Sequence, residues 1–364
     1  MKNAFFAAFI FFAFVYAWKL WQTTSPAPST ATQAASSVAM GKNLSSSAVL
    51  RIDPKASSGI MPRTDLPVKP VSPDMQQYRD KKDFAALYAR VKAGAQSPEA
   101  QYLQAELLER CAKRATQPND PPARSREERR EKFIANLTGT AEQKAMRSAA
   151  YDKINADHCG ELAKIDRDDS TIERLRNEAA KAGDARARAW QLSADIQKVS
   201  EAMDEAVRTG KRPANGGASG NIITDAQWTQ LRELLATGDI GVLNELRPVL
   251  ASSLTDGTFR MGPDEPPVEQ RALWQALGLL ACDLGAPCGA DSNAVLAECA
   301  HSNRCGSANF YDHTYFYDAS PYTAQIMERY RQTLADMIRR GDASALQLVR
   351  GGQNNRGVSI FRGR

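Results

Sequence analysis

Six cysteines, three histidines and a dense group of aromatics are the residues in this 364-residue chain whose types and spacing could do chemistry. The cysteines are Cys111, Cys159, Cys282, Cys288, Cys299 and Cys305. The last four form a repeated block: Cys282, five residues, Cys288-Gly289, and then Cys299, five residues, Cys305-Gly306. Each first cysteine ends an apolar helical pattern, and each second lies in a loop beside glycine. A local bridge would tie a helix C-terminus to the loop leaving it. This predicts Cys282–Cys288 and Cys299–Cys305, with Cys111–Cys159 by elimination among the connectivities that six cysteines allow. Zinc is the competing reading for Cys299, His301 and Cys305, with Cys282 and Cys288 nearby. The close Cys-x-x-Cys pair usual in structural zinc sites is missing, which favours oxidation. His158-Cys159 suggests a nucleophile pair, but sequence neighbours do not face each other on a helix, and Cys159 is better placed to bridge.

Enzyme signatures are absent. The histidines, His158, His301 and His313, form no His-Glu-x-x-His pair, and there is no Gly-x-Ser-x-Gly elbow, phosphate-cradling Gly-x-x-x-x-Gly-Lys or dinucleotide Gly-x-Gly-x-x-Gly. The expectation is a protein without catalysis, cofactor or bound metal. An exported enzyme using one of the many helical carboxylates as its acid or base is the alternative, and a structural cell-envelope protein a further one. The aromatic group runs Phe310, Tyr311, Asp312, His313, Tyr315, Phe316, Tyr317, Asp318 and Tyr322, and holds four of the ten tyrosines. Either it packs as a loop over the helices, or it is a partner-binding surface, for which Tyr supplies large contact area at low entropy cost. On the second reading the binding candidates are Tyr311, Tyr315, Phe316, Tyr317 and Tyr322.

The elements that must position these residues read as helices. Phe84, Leu87, Tyr88 and Val91 keep helical spacing, Ala93-Gly94 breaks it, Ser97-Pro98-Glu99 restarts it, and Tyr102, Leu103, Leu107 and Leu108 form the next apolar face. Arg124 to Lys132 is a mixed-charge run, read as a solvated helix face. Ala141 to Asp157 reads as a helix, Ser170 to Lys181 and Ala185 to Val207 as a hairpin, and Thr224-Asp225 as the cap of a helix through Trp228, Leu231, Leu234 and Leu235. Further on, Val268 to Leu284, a short helix from Asp291 and Ile326 to Arg339 are helical, while Thr255 to Pro267 is a loop. The predicted class is all-α: helical hairpins stacked as an irregular solenoid or bundle, stapled by disulfides.

Four bends share a signature: Ala93-Gly94-Ala95, Ala182-Gly183-Asp184-Ala185, Thr237-Gly238-Asp239 and Arg340-Gly341-Asp342-Ala343. Glycine permits a left-handed helix stop, and small neighbours let two helices approach. The passage from Ala179 to Ala187 resembles the bend of Sel-one-like repeats, relatives of the tetratricopeptide repeats. That resemblance implies a helical solenoid that binds proteins; the unequal glycine spacing shows no fixed period. The block Leu279-Leu280-Ala281-Cys282-Asp283-Leu284-Gly285 is similar to one in uncharacterised exported proteins of Gram-negative bacteria, a likeness that carries no activity.

The N-terminus sets the compartment. Lys2 precedes an apolar run from Ala4 to Trp18, which as a helix spans about 22 Å, short of a bilayer core of about 30 Å. A signal peptide cut after Ala17 competes with an anchor extended by Trp18, Lys19 and Trp21. Either puts the remainder outside the cytoplasm: periplasmic, anchored in the inner membrane if the segment is retained, or secreted. The expected organisation is 1–21 signal peptide or anchor, 22–75 flexible Ser/Thr/Ala/Pro-rich linker, 76–350 helical domain with a sub-boundary near 212–222, and 351–364 flexible tail. An even cysteine count behind an export segment fits disulfides in an oxidising compartment. Up to Gly220 there are 34 Lys and Arg against 26 Asp and Glu, and after it 13 against 16, so the two parts carry +8 and −3. The net +5 is too weak for a nucleic-acid partner. The expected partner is a protein, with membrane contact only through an uncleaved N-terminal segment.

Overall fold

Side-chain caps and glycine stops decide where the helices of this chain begin and end. The computed structural model describes residues 65–94, 97–113, 126–209, 223–251 and 257–350, all within one compact unit. Among the described residues there are thirteen α-helices: α1 Pro73–Arg79, α2 Phe84–Ala93, α3 Pro98–Cys111, α4 Arg126–Ala135, α5 Ala141–Ile154, α6 Asp169–Lys181, α7 Ala185–Thr209, α8 Asp225–Leu235, α9 Ile240–Leu250, α10 Gln270–Asp283, α11 Asn293–Ser302, α12 Phe310–His313 and α13 Pro321–Arg340. Ser97 caps α3 with Pro98 in its first turn, and Thr140–Gln143 and Thr224–Gln227 form reciprocal capping boxes on α5 and α8. Gly183, Gly238 and Gly341 have φ of 97°, 63° and 63°. They terminate helices in the left-handed conformation as the bend signature requires. Gly94 has φ −90° and closes α2 without it.

The helices pack in a connected series. α3 lies against α6, α6 against α7, α7 against α9, α9 against α10 and α10 against α13, while α5 packs on α11 to the side. The larger apolar core draws on α7 to α10 and α13, with Leu231, Leu243, Leu246, Leu280 and Leu334 fully buried. A smaller core gathers Phe84, Leu87, Leu103 and Leu107 from α2 and α3 against Ala179 and Ala187. Helix α4, from the mixed-charge run, buries no side chain, and Arg130 instead pairs with Asp152 of α5 at 2.6 Å.

Three expectations are corrected. The chain is not purely helical: β1 Gly257–Arg260 pairs antiparallel with β2 Gln347–Arg350, Phe259 opposite Leu348. Phe259 of β1 is buried and stacks on Trp228 at 5.2 Å, so a stretch read as loop contributes to the core. Consequently the fourth bend, at Gly341, leads into a strand rather than a second helix. The aromatic stretch read as irregular is helical, α12 followed by a π turn at Thr314–Asp318. Ordered packing also reaches back into the expected linker, since Leu66 is buried in the larger core and α1 starts at Pro73. The candidate signal or anchor segment 1–21, linker residues 22–64, the sub-boundary near 212–222 and the tail 351–364 lie outside the described residues. Among the described residues no helix is long and apolar enough to cross a membrane.

Candidate functional site

The two Cys-Gly blocks close short loops. Cys282 bonds Cys288, Cys299 bonds Cys305 and Cys111 bonds Cys159. All six cysteines are paired, which points to an oxidising, extracytoplasmic setting. Cys159 is thereby removed from any nucleophile pairing with His158. Each short bridge closes a loop at a helix C-terminus, Cys282–Cys288 after α10 and Cys299–Cys305 at the end of α11. Both loops hold the aromatic segment. Phe310 donates its backbone N–H to the Cys288 carbonyl at 2.8 Å, and Arg304 Nη1 pairs with Asp318 Oδ1 at 2.8 Å. Asp318 also accepts from Gln275 Nε2 at 2.7 Å, so the segment is pinned to α10 at its far end.

Between these pins the five sequence-predicted residues divide. Tyr311 is buried, its hydroxyl donating to Asp283 Oδ1 at 2.8 Å. The same carboxylate takes two bonds from Arg331 of α13, Nε to Oδ2 and Nη2 to Oδ1, both at 2.7 Å. Arg331 and Asp283 are both buried, so this bidentate pair with its tyrosine clamps α10 to α13 in a dry setting. Tyr311 is therefore a core residue, not a surface one. Tyr315 is half-buried and donates to Glu328 Oε2 at 2.5 Å, and Glu328 in turn accepts from Arg331 at 3.0 Å. The hydroxyl ties Tyr315 to the same clamp. Phe316, Tyr317 and Tyr322 do face solvent, at 49, 49 and 68% exposure.

A residue missed in the sequence completes this surface. Trp274 of α10 is 43% exposed, and the Arg247 guanidinium lies 3.9 Å from its ring centroid. Arg247 donates Nε to the Trp274 carbonyl at 3.1 Å. Among the described residues it has no carboxylate partner, and desolvation alone pulls its pKa down to about 10. Gly278 makes room for the arrangement: a Cβ there would lie 3.0 Å from both Arg247 Nη2 and Phe310 Cε1. The contacts continue from Phe310 to His313 at 6.3 Å and from His313 to Tyr317 at 6.0 Å, both stacked. Phe310, His313 and Tyr317 thus form a ladder of rings, and Gly278 lies between Phe310 and the Trp274–Arg247 stack.

His313 is the buried member of this ladder, with Nδ1 lacking a hydrogen-bond partner among the described residues and Nε2 3.8 Å from Glu298 Oε2. Burial lowers its pKa against the opposing pull of Glu298 and Asp318, which favours the neutral ring, and His313 packs as an aromatic. His301 lies apart from it, edge-on to Phe133 and Tyr151. Among the described residues no group of three or more His, Cys, Asp or Glu side chains is arranged to hold a metal ion.

Every exposed Phe, Tyr or Trp side chain among the described residues lies on α10, on the π turn or in the first turn of α13. The other described tyrosines and tryptophans are buried or half-buried. No protein-family model, curated protein or solved structure matches the chain.

Proposed function

We propose that this is an exported helical protein, held in the cell envelope or secreted, that captures a protein partner through the Trp274–Arg247 stack and the exposed rings of Phe316, Tyr317 and Tyr322. The observation that carries the reading is Arg247. A guanidinium stacked on an exposed tryptophan, without a carboxylate partner among the described residues, already bears part of the desolvation cost that a bound acidic group would offset. Trp, Tyr and Arg are also the residue types that dominate binding energy at protein interfaces. The partner segment this chemistry fits carries a carboxylate for Arg247 and an apolar or aromatic side chain for the neighbouring rings. Rigidity supports the reading: two disulfides and the Asp318 pins fix the segment before binding, which lowers the ordering cost of association. A stacked-hairpin arrangement of the Sel-one-like kind, periplasmic residence and a non-catalytic role belong to the same proposal.

The test is site-specific photo-crosslinking from position 316 in the intact exported protein. The expected result is one discrete adduct that disappears in the double variant Trp274→Ala, Tyr317→Ala and persists in Val199→Ala, a change at an exposed position on α7. An adduct unaffected by the double variant would overturn the assignment of this surface.

A further inference from the structure

A second site lies where the two apolar cores meet, lined by none of the exposed rings. A cavity of about 270 Å³ is bounded by α1 and the turn after it, by α3 and by the start of α9. A smaller neighbour of about 60 Å³ shares Met75, Arg79, Arg186 and Ile240 with it. The larger volume approaches that of a small-molecule pocket. Its walls mix apolar surface from Met75, Ile240 and Pro287 with an unusual concentration of charge.

The charges are not symmetrically paired. Arg186 is engaged, bonding Asp184 and Glu99 at 2.8 Å each. Glu106 is also engaged, by Arg176 and by the Tyr78 hydroxyl at 3.2 Å. Arg79, Lys81 and Arg110 line the same cavity, yet among the described residues none forms an ion pair. Arg79 senses Asp239 and Glu99, but Asp239 is committed to capping α9, accepting from the Gly241 and Val242 N–H groups at 2.7 and 3.2 Å. Arg110 lies over the rings of Tyr78 and Phe84 at 5.8 and 5.6 Å. Lys81 is held at φ 54°, a left-handed backbone that costs a non-glycine residue energy and clusters at functional sites. The remaining lining carboxyl, Glu245, accepts from the buried Tyr102 hydroxyl at 3.2 Å.

We propose that this cavity binds a small organic polyanion, its acid groups held by Arg79, Lys81 and Arg110 and a further polar group meeting the Tyr102–Glu245 pair. Three cations without carboxylate partners among the described residues line one half-open volume, a positive lining that an anion can pair with. The carboxyl of Glu245 does not cancel it: burial first, and then the charge of Glu106, push its pKa up to about 7, so it is partly protonated near neutrality and able to donate a hydrogen bond. The size admits a tricarboxylate or a phosphate monoester of a few carbons and excludes a folded macromolecule. Nothing in the aromatic surface is required for this binding.

Titration calorimetry on the intact, disulfide-bonded chain tests it, with citrate and glycerol phosphate as probes and glycerol and chloride as controls at constant ionic strength. Saturable binding of citrate, of glycerol phosphate or of both supports the site, and which one binds identifies the acid group. Affinity should fall about tenfold or more in Lys81→Gln and in Arg79→Gln, the scale of losing one charge-assisted bond. Lys81 stands on a turn, so Lys81→Gln keeps the comparison intact should Arg79→Gln unfold, which circular dichroism reads directly. Binding no stronger than that of chloride for both probes, or binding unchanged in Lys81→Gln, would overturn the proposal.

Discussion

Replacing Tyr311 by Phe removes one oxygen from the interior and nothing else. The ring keeps its place beside Arg331, whose guanidinium carbon lies 5.2 Å from its centroid. The hydroxyl that donates to Asp283 at 2.8 Å is lost. Asp283 retains the bidentate Arg331 bonds at 2.7 Å, so the carboxylate stays paired but loses a bond to a charged acceptor. Such bonds contribute about 1.5–3 kcal/mol, and the buried oxygen left short of a donor adds to the cost. For a domain of this size about 2 kcal/mol lowers Tm by about 4–8 °C. Tyr317→Ala is the contrast: the ring is half exposed, and surface changes usually stay within about 0.5 kcal/mol. Thermal unfolding followed by near-ultraviolet circular dichroism measures both. A Tm unchanged in Tyr311→Phe, or a larger drop in Tyr317→Ala than in Tyr311→Phe, would refute the division of the aromatic segment into a core half and a surface half.

The disulfides should differ in what they stabilise. By loop-closure entropy the Cys111–Cys159 bridge, 48 residues apart, contributes about 4 kcal/mol and each six-residue bridge about 2 kcal/mol. Denaturant unfolding of the Cys-to-Ala pairs should rank them so, while only loss of Cys282–Cys288 or Cys299–Cys305 changes the fluorescence of Trp274. Glu245 should make stability depend on pH. Its pKa is raised from 4.5 to about 7 by burial, Glu106 and Glu109, against Arg176 and the Tyr102 hydrogen bond. Its contribution is full below pH 4.5 and is lost as pH rises through about 7. Glu245→Gln should therefore match the parent near pH 4 and exceed it by up to about 3 kcal/mol above pH 8, measured by urea denaturation; equal stability at pH 8 would contradict the burial of this carboxyl. Gly238→Ala should destabilise, because φ is 63° and the new Cβ would lie 2.6 Å from Ile338 Cγ2. Gly94→Ala, at φ −90° with only its own helix carbonyl at 3.6 Å, should be neutral or slightly stabilising in the same assay.

Helices and short disulfides were legible in the sequence because their determinants are local: the caps at Ser97 and Thr224, the stops at Gly183 and Gly238 and the six-residue Cys spacing all act within a few turns of chain. The division of the aromatic segment is not local. A π turn at Thr314–Asp318 shifts the helical phase, so Tyr311 and Tyr317 point to different environments although the sequence offers them as equivalents. Trp274 and Arg247 are 27 residues apart, and neither has a neighbour in sequence that announces the stack. The strands failed for the same reason, since β1 finds its partner only at β2, close to the end of the described chain. The Gly-Asp stop at Gly341 resembles the others and precedes a strand because Leu348 has Phe259 to pair with. Tyr102 and Glu245 meet across 143 residues, and among 42 acidic residues no pattern singles out Glu245.

On the proposed function, the Trp274–Arg247 stack binds a protein partner through an acidic group. The most direct measurement is the affinity of the purified chain for the partner identified by crosslinking at position 316, compared with that of Arg247→Gln. If Arg247 receives a carboxylate in the complex, Arg247→Gln weakens binding about tenfold to a hundredfold, with Tm within a few degrees of the parent. An unchanged affinity in a folded Arg247→Gln protein would overturn that role for Arg247.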